Sequence, residues 1–84
     1  MMKYDEMDAK IGATLKHYRN ERKLTVRDVG EMLKIDNSTV TRWESGENAI
    51  RARDLLYYLD RLGYTYEKFI SDLKKLGGND NGII

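Results

Sequence analysis

The segment from Leu24 to Gly46, LTVRDVGEMLKIDNSTVTRWESG, holds two helix-start signals so close together that the chain has few ways to fold around them. Thr25 stands three residues before Asp28, the capping-box spacing in which each side chain satisfies a backbone N–H of the first turn. This predicts a helix over Val26–Leu33 with Val29, Met32 and Leu33 turned inward. Asp36 is placed to cap another helix, Asn37–Glu44, accepting its free N–H groups and complementing the positive end of its dipole. Gly46 ends it. Only about three residues, Lys34–Asp36, join the two helices, so they must cross steeply and the later one must stand proud of the body. Such a crossing needs a small residue where the backbones approach. Gly30 supplies one in mid-helix, where glycine costs roughly 1 kcal/mol relative to alanine and close packing explains it better than propensity.

The rest of the chain also reads as helix, since it has no proline and no useful run of strand-like alternation. The fold class is therefore all-α, with five helices. Ile11, Leu15, Tyr18 and Arg22 form one stripe of a first helix from about Asp8, its N-cap, to Arg22, leaving Lys10, Lys16 and His17 exposed. Leu55, Leu56, Tyr58, Leu59 and Leu62 mark the fourth helix, and Gly63 sits where a left-handed cap is wanted. Thr65 caps the fifth, whose apolar stripe is Tyr66, Phe69, Ile70, Leu73 and Leu76. Residues 1–7 are left as an N-terminal arm, residues 8–76 as a single domain, and GGNDNGII, residues 77–84, as a flexible tail.

Composition narrows the class. With 84 residues the chain is expected to build one small core, and without cysteine it has neither disulfides nor thiolate ligands, which fits a reducing cytoplasm. No stretch approaches the roughly 20 apolar residues that span a bilayer, so no membrane partner is expected. His17, the only histidine, has no partners at metal-ligand spacing, so no metal or other cofactor is expected. There is no nucleophile beside a base and no phosphate-cradling glycine loop, so neither an enzyme nor a small-molecule substrate is indicated. The net charge of +1 hides a gradient: residues 9–53 carry ten cations against six acids, a net +4, while both flanks are acidic.

On the third helix Val40 and Trp43, three apart, face the core, which leaves Asn37, Ser38, Thr41 and Arg42 outward. These are the residue types that read base edges: arginine donates twice to guanine, asparagine pairs with adenine, serine and threonine serve either, and a threonine methyl can meet thymine. A B-DNA major groove admits one such helix, with its N-terminus nearest the phosphates.

On these marks residues 11–70 resemble the Cro/C1-type helix-turn-helix family of phage repressors, also called the Xre family. The resemblance rests on the capping hydroxyl, the small residue on the second helix, the short turn and the closing Trp-Glu-x-Gly. The leucine, glycine and hydroxyl of LLYYLDRLGYTYEKFI continue it. It implies a five-helix lambda-repressor-like DNA-binding domain with the helix-turn-helix at helices 2 and 3. It implies base contacts from Asn37, Ser38, Thr41 and Arg42, and phosphate contacts from Thr25, Arg27, Thr39, Arg51 and Arg53. It also implies a structural ion pair between Arg19 and Glu44. Three departures stand out: Val26 where the family usually has a polar residue, Lys34 where glycine is common, and a loop before helix four one residue longer than the shortest.

Double-stranded DNA is thus the expected partner and transcriptional repression the expected role. A half-site of four or five base pairs is too short to be distinctive, so a homodimer on a palindrome is expected, with Tyr66, Phe69, Ile70, Leu73 and Leu76 as its interface or, alternatively, as core. A second reading, an antitoxin or antirepressor that uses the scaffold to hold a partner protein, follows from the weak net charge, Val26 and the apolar tail end Ile83–Ile84.

Overall fold

Both start signals operate as the sequence predicts. In the computed structural model, which describes residues 3–76, the order is α1 (Tyr4–Glu21), α2 (Val26–Leu33), α3 (Asn37–Ser45), α4 (Ala52–Leu62) and α5 (Tyr66–Leu76). The Thr25 hydroxyl accepts the Asp28 N–H at 3.0 Å, and Asp28 accepts the Thr25 N–H at 2.9 Å, closing the box at the head of α2. Asp36 accepts the Ser38 N–H at 3.3 Å, and the Thr65 hydroxyl accepts that of Lys68 at 3.1 Å. Gly46 and Gly63 close α3 and α4 in left-handed conformations.

One start differs. α1 begins at Tyr4, a turn before Asp8, with Glu6 accepting the Lys3 N–H at 3.1 Å. Asp5 and Glu6 place negative charge against the positive end of that helix. Residues 4–7 of the expected arm are therefore its first turn, and residues 1–2 and the tail 77–84 lie outside the described part.

The α2–α3 turn is tight because Lys34 takes a left-handed conformation, φ 61°. That bend lets the Ile35 N–H reach back to the Gly30 carbonyl at 2.9 Å, the bond of a Schellman closure that spans more residues. A Cβ on Gly30 would lie 2.9 Å from the Ile35 oxygen, so glycine at this position follows from the closeness of the turn. A second close approach went unread in the sequence: a Cβ on Gly12 would lie 2.3 Å from the Trp43 carbonyl oxygen, where α1 crosses the end of α3.

Leu15 and Tyr18 of α1, Val29 of α2, Val40 of α3 and Tyr58 of α4 have no exposed surface and define the centre of the core. α5 lies along α1, and the seam between them is aromatic and polar at once. The Tyr18 and Tyr64 rings stack at 3.7 Å between centroids, and the Arg22 guanidinium sits 4.4 Å from the centre of the Tyr64 ring. Arg22 also donates to the Leu62 carbonyl at 2.9 Å, which explains an arginine on an otherwise apolar stripe. Tyr18 donates to Asp72 at 2.7 Å and Tyr64 to Glu21 at 2.6 Å. Burial is the main cause holding both phenols well above their ordinary range, Tyr64 at about 12.

The apolar stripes divide between inside and outside. Phe69, for which interface and core were the alternatives, is 2% exposed and belongs to the protein's own core, because α5 turns that part of its stripe onto the bundle. Leu56, one of the residues that mark the fourth helix, is 51% exposed, since α4 presents Tyr58, Leu59 and Leu62 inward and carries Leu56 and Tyr57 round to the outside. Ile70 and Leu73 are half-buried against the core and Tyr66 is exposed, whereas the Leu76 side chain lies outside the described part. No helix among the described residues is long and apolar enough to cross a membrane.

Candidate nucleic-acid interface

A helix of nine residues is too short to persist alone in water, so what holds α3 also decides what it can present. Its inner side is anchored by Val40, fully enclosed, and Trp43, buried. Its C-terminal end is fixed by charge. Arg19 of α1 donates to both Glu44 oxygens, Nε to Oε2 at 2.7 Å and Nη2 to Oε1 at 2.9 Å, the fork geometry in which arginine binds carboxylate most specifically. The remaining guanidinium nitrogen donates to the Leu24 carbonyl at 2.8 Å. The Arg19–Glu44 pair expected from the sequence is thus present, and hydrogen bonding to Glu44 raises the Arg19 pKa further above its ordinary value.

The sequence did not disclose a third member. Tyr58, fully enclosed on α4, places its hydroxyl 3.0 Å from Glu44 Oε2 and 3.3 Å from the Leu15 carbonyl. Burial first, and then the Glu44 charge, push this phenol far up, so it stays protonated and available as a donor. α1, α3 and α4 are therefore joined at a single carboxylate. Only the inward register of Tyr58 was readable beforehand, not what its hydroxyl meets.

With one side and one end tied down, the opposite side of α3 is open. Asn37, Thr41 and Arg42 are exposed, and Ser38 and Thr39 are half-buried near the N-terminus. Thr41 differs in one respect from the expected polar reader, since its hydroxyl donates back to the Asn37 carbonyl at 3.2 Å. Thr25 is engaged in a comparable way: its backbone N–H is donated to Asp28 and its hydroxyl oxygen accepts the Asp28 N–H, while among the described residues that hydroxyl donates no bond.

The expected phosphate-binding cations are exposed: Arg27 on α2, which shares a cleft with Asn37, and Arg51 at the cap of α4. Arg53 is exposed too, but its Nε lies 3.3 Å from Asp54, which offsets part of its charge. Lys16 of α1, noted in the sequence only as surface, shares a cleft with Thr41 and Val26 beside α3. Its position one turn before Arg19 was the available signal, because whatever sits there lies near the end of α3.

A short capped helix held at one end by a buried charge cluster, presenting a polar face flanked by cations, defines a helix-turn-helix DNA-binding unit. The chain belongs to that family: residues 10–67 match the family model described as a helix-turn-helix domain. The matched stretch runs from the second turn of α1 through the whole of α2, α3 and α4 to the first turn of α5. A comparison with curated proteins returned no match.

Proposed function

We propose that the protein is a sequence-specific transcriptional regulator of the Cro/C1 type, acting in the cytoplasm as a homodimer on a palindromic operator and repressing by occupying a promoter. The observation that carries this reading is the open face of α3, where Asn37 and Arg42 are exposed, their side chains bonded to no other described residue, on a helix whose other side is anchored. Asn37, Ser38 and Arg42 read base edges through hydrogen bonds. Thr41 belongs to the same face through its methyl group. Thr25, Arg27, Thr39, Arg51 and Arg53 grip phosphates on either side, with Thr25 contributing its hydroxyl. The unit that does this is the domain expected over residues 8–76, extended at its start by the first turn of α1, residues 4–7.

For dimerisation the surface that remains after Phe69 is withdrawn into the core comprises exposed Tyr66 with half-buried Ile70 and Leu73 on α5. Selection of bound duplexes from a random pool tests the whole reading at once, since a palindrome is expected. On the selected site Arg42→Ala should weaken binding by about 1–3 kcal/mol while leaving binding to unrelated DNA nearly unchanged. An equal loss on every sequence would refute base reading by Arg42.

One observation favours the partner-protein reading: Leu56, Tyr57 and Tyr66 are 51%, 44% and 51% exposed. Co-purification of a protein partner, with no duplex selected, would favour it over operator binding.

A further inference from the structure

Resting on the operator-reading role proposed above, we infer that Val26 and Thr41 form an apolar slot for the 5-methyl group of a thymine, so that each half-site holds one thymine recognised by contact rather than by hydrogen bonds. The slot is the cleft of about 180 Å³ where α1, α2 and α3 meet, lined by Lys16, Arg19, Val26, Thr41, Glu44 and Ser45.

Five of these six residues are polar by type, yet most of their polar atoms are already engaged. Arg19 and Glu44 bond to each other, with side chains only 11% and 5% exposed. The last Arg19 nitrogen is held by Leu24 and Glu44 Oε2 is shared with Tyr58. The Ser45 hydroxyl donates to the Arg42 carbonyl at 3.2 Å and accepts the Glu47 N–H at 3.2 Å. The Thr41 hydroxyl is drawn back to the Asn37 carbonyl. A threonine that bonds the carbonyl one turn behind it commits its hydroxyl to its own helix, which leaves the γ-methyl as the part of the side chain not engaged in that bond.

What the cleft offers a visitor is therefore more apolar surface than polar, with Val26 and Thr41 as the lining residues that carry methyl groups and the exposed Lys16 as the lining cation. Of the groups that the four bases present in the major groove, only the thymine 5-methyl is apolar. Lys16 at the rim suits the phosphate of the same strand, which fixes register without reading sequence. Val26 then becomes a base reader in its own right, at a position where a polar side chain would reach for the backbone.

The test uses the full chain and the duplex selected from the random pool. Each thymine is replaced in turn by uracil, which lacks only the methyl group. The slot predicts one position per half-site at which uracil weakens binding about fourfold, the worth of one buried methyl. Thr41→Ser keeps the hydroxyl and its bond to Asn37 but removes the methyl, and Val26→Ala removes the other wall. In both variants the thymine preference at that position should fall towards unity. Thr41 is exposed, so Thr41→Ser leaves folding intact even if Val26→Ala does not. A flat uracil scan on a duplex that the protein binds specifically would overturn the slot and leave operator binding standing. An unchanged thymine preference in both variants would do the same. Failure to select any sequence would sink operator reading itself, and the slot with it.

Discussion

Glu44 is the residue on which the orientation of α3 depends, and a double-mutant cycle with Arg19 measures how strongly. The two side chains are 5% and 11% exposed and meet at 2.7 Å, so replacing either alone by methionine strands a charge in a poorly solvated place. Each single substitution, Arg19→Met or Glu44→Met, should lose about 3–5 kcal/mol. Against the roughly 4–13 kcal/mol expected of a domain this size, that is a large fraction of the total. The double substitution removes both charges and fills similar volume with apolar atoms, so it should lose far less than the sum, giving a coupling on the order of 3 kcal/mol. Tyr58→Phe in the natural background should lose about 1.5–3 kcal/mol, as for a bond to a charged acceptor. In the Glu44→Met background it should lose much less, because the Leu15 carbonyl at 3.3 Å remains as a partner. Urea unfolding followed by tryptophan fluorescence is the assay, since Trp43 is the chain's single tryptophan, buried and adjacent to Glu44. If the losses of the two single variants simply sum to that of the double, the pair is not a coupled buried unit and the account of how α3 is anchored is wrong.

Two further outcomes concern the turn and the response to pH. Lys34 holds φ 61° without being glycine, so Lys34→Gly should stabilise the domain by about 1 kcal/mol, raising Tm by roughly 4–8 °C; a calorimetric Tm unchanged or lowered would mean the left-handed lysine is not strained. Asp28, Asp72 and Glu21 have depressed native pKa values, caused first by hydrogen bonds from the Thr25 backbone, the Tyr18 hydroxyl and the Tyr64 hydroxyl respectively. Their contribution is complete above the unfolded carboxylate value of about 4 and is lost as pH falls through the lower native values. Tyr18, Tyr58 and Tyr64 are shifted the other way, so what they contribute is complete below the ordinary phenol value of about 10 and is lost as pH rises through their raised values. A Tm profile flat between these limits and falling on both sides is expected; Asp28→Asn with Asp72→Asn should flatten the acid limb, and an unaltered limb would count against the assignment.

The helices around the turn were legible because their signals are local. A hydroxyl three residues before a carboxylate, an aspartate ahead of a polar run and a glycine after one each act within a single turn, so Thr25, Asp36, Gly46 and Gly63 located their helix ends correctly. Gly30 was legible for the same reason, since the turn that crowds it begins a few residues later. Gly12 was not, because what crowds it is the backbone of Trp43 and Glu44, a different helix. Stripes suffered the same ambiguity. Periodicity shows that Phe69 and Tyr66 lie on one apolar side of α5, but whether that side meets α1 or a second molecule depends on the angle between helices. The structure buries Phe69 and exposes Tyr66. Tyr58 and Thr41 illustrate the last gap: residue type names a donor, but only coordinates show that Tyr58 meets Glu44 and that Thr41 turns back to Asn37.

That gap changes how the crowded polar run DNSTVTRWESG should be understood. Its density of short hydrogen-bonding groups first suggests a surface built wholly for reading bases, yet much of it serves to make a nine-residue helix stable. Asp36 caps the start, Thr41 bonds the carbonyl of Asn37, Ser45 bonds that of Arg42 and receives Glu47, and Glu44 binds α3 to α1 and α4. Those groups bond within the domain and are weaker candidates for bonds to DNA. The hydrogen-bonding repertoire of α3 not engaged among the described residues is therefore narrow, chiefly the Asn37 amide and the Arg42 guanidinium with Ser38 near the cap. Direct readout from so few groups specifies only a few base pairs per copy. On the proposed operator-reading role, specificity is expected to come also from apolar contact at Val26 and Thr41 and from repetition of the site by a second copy.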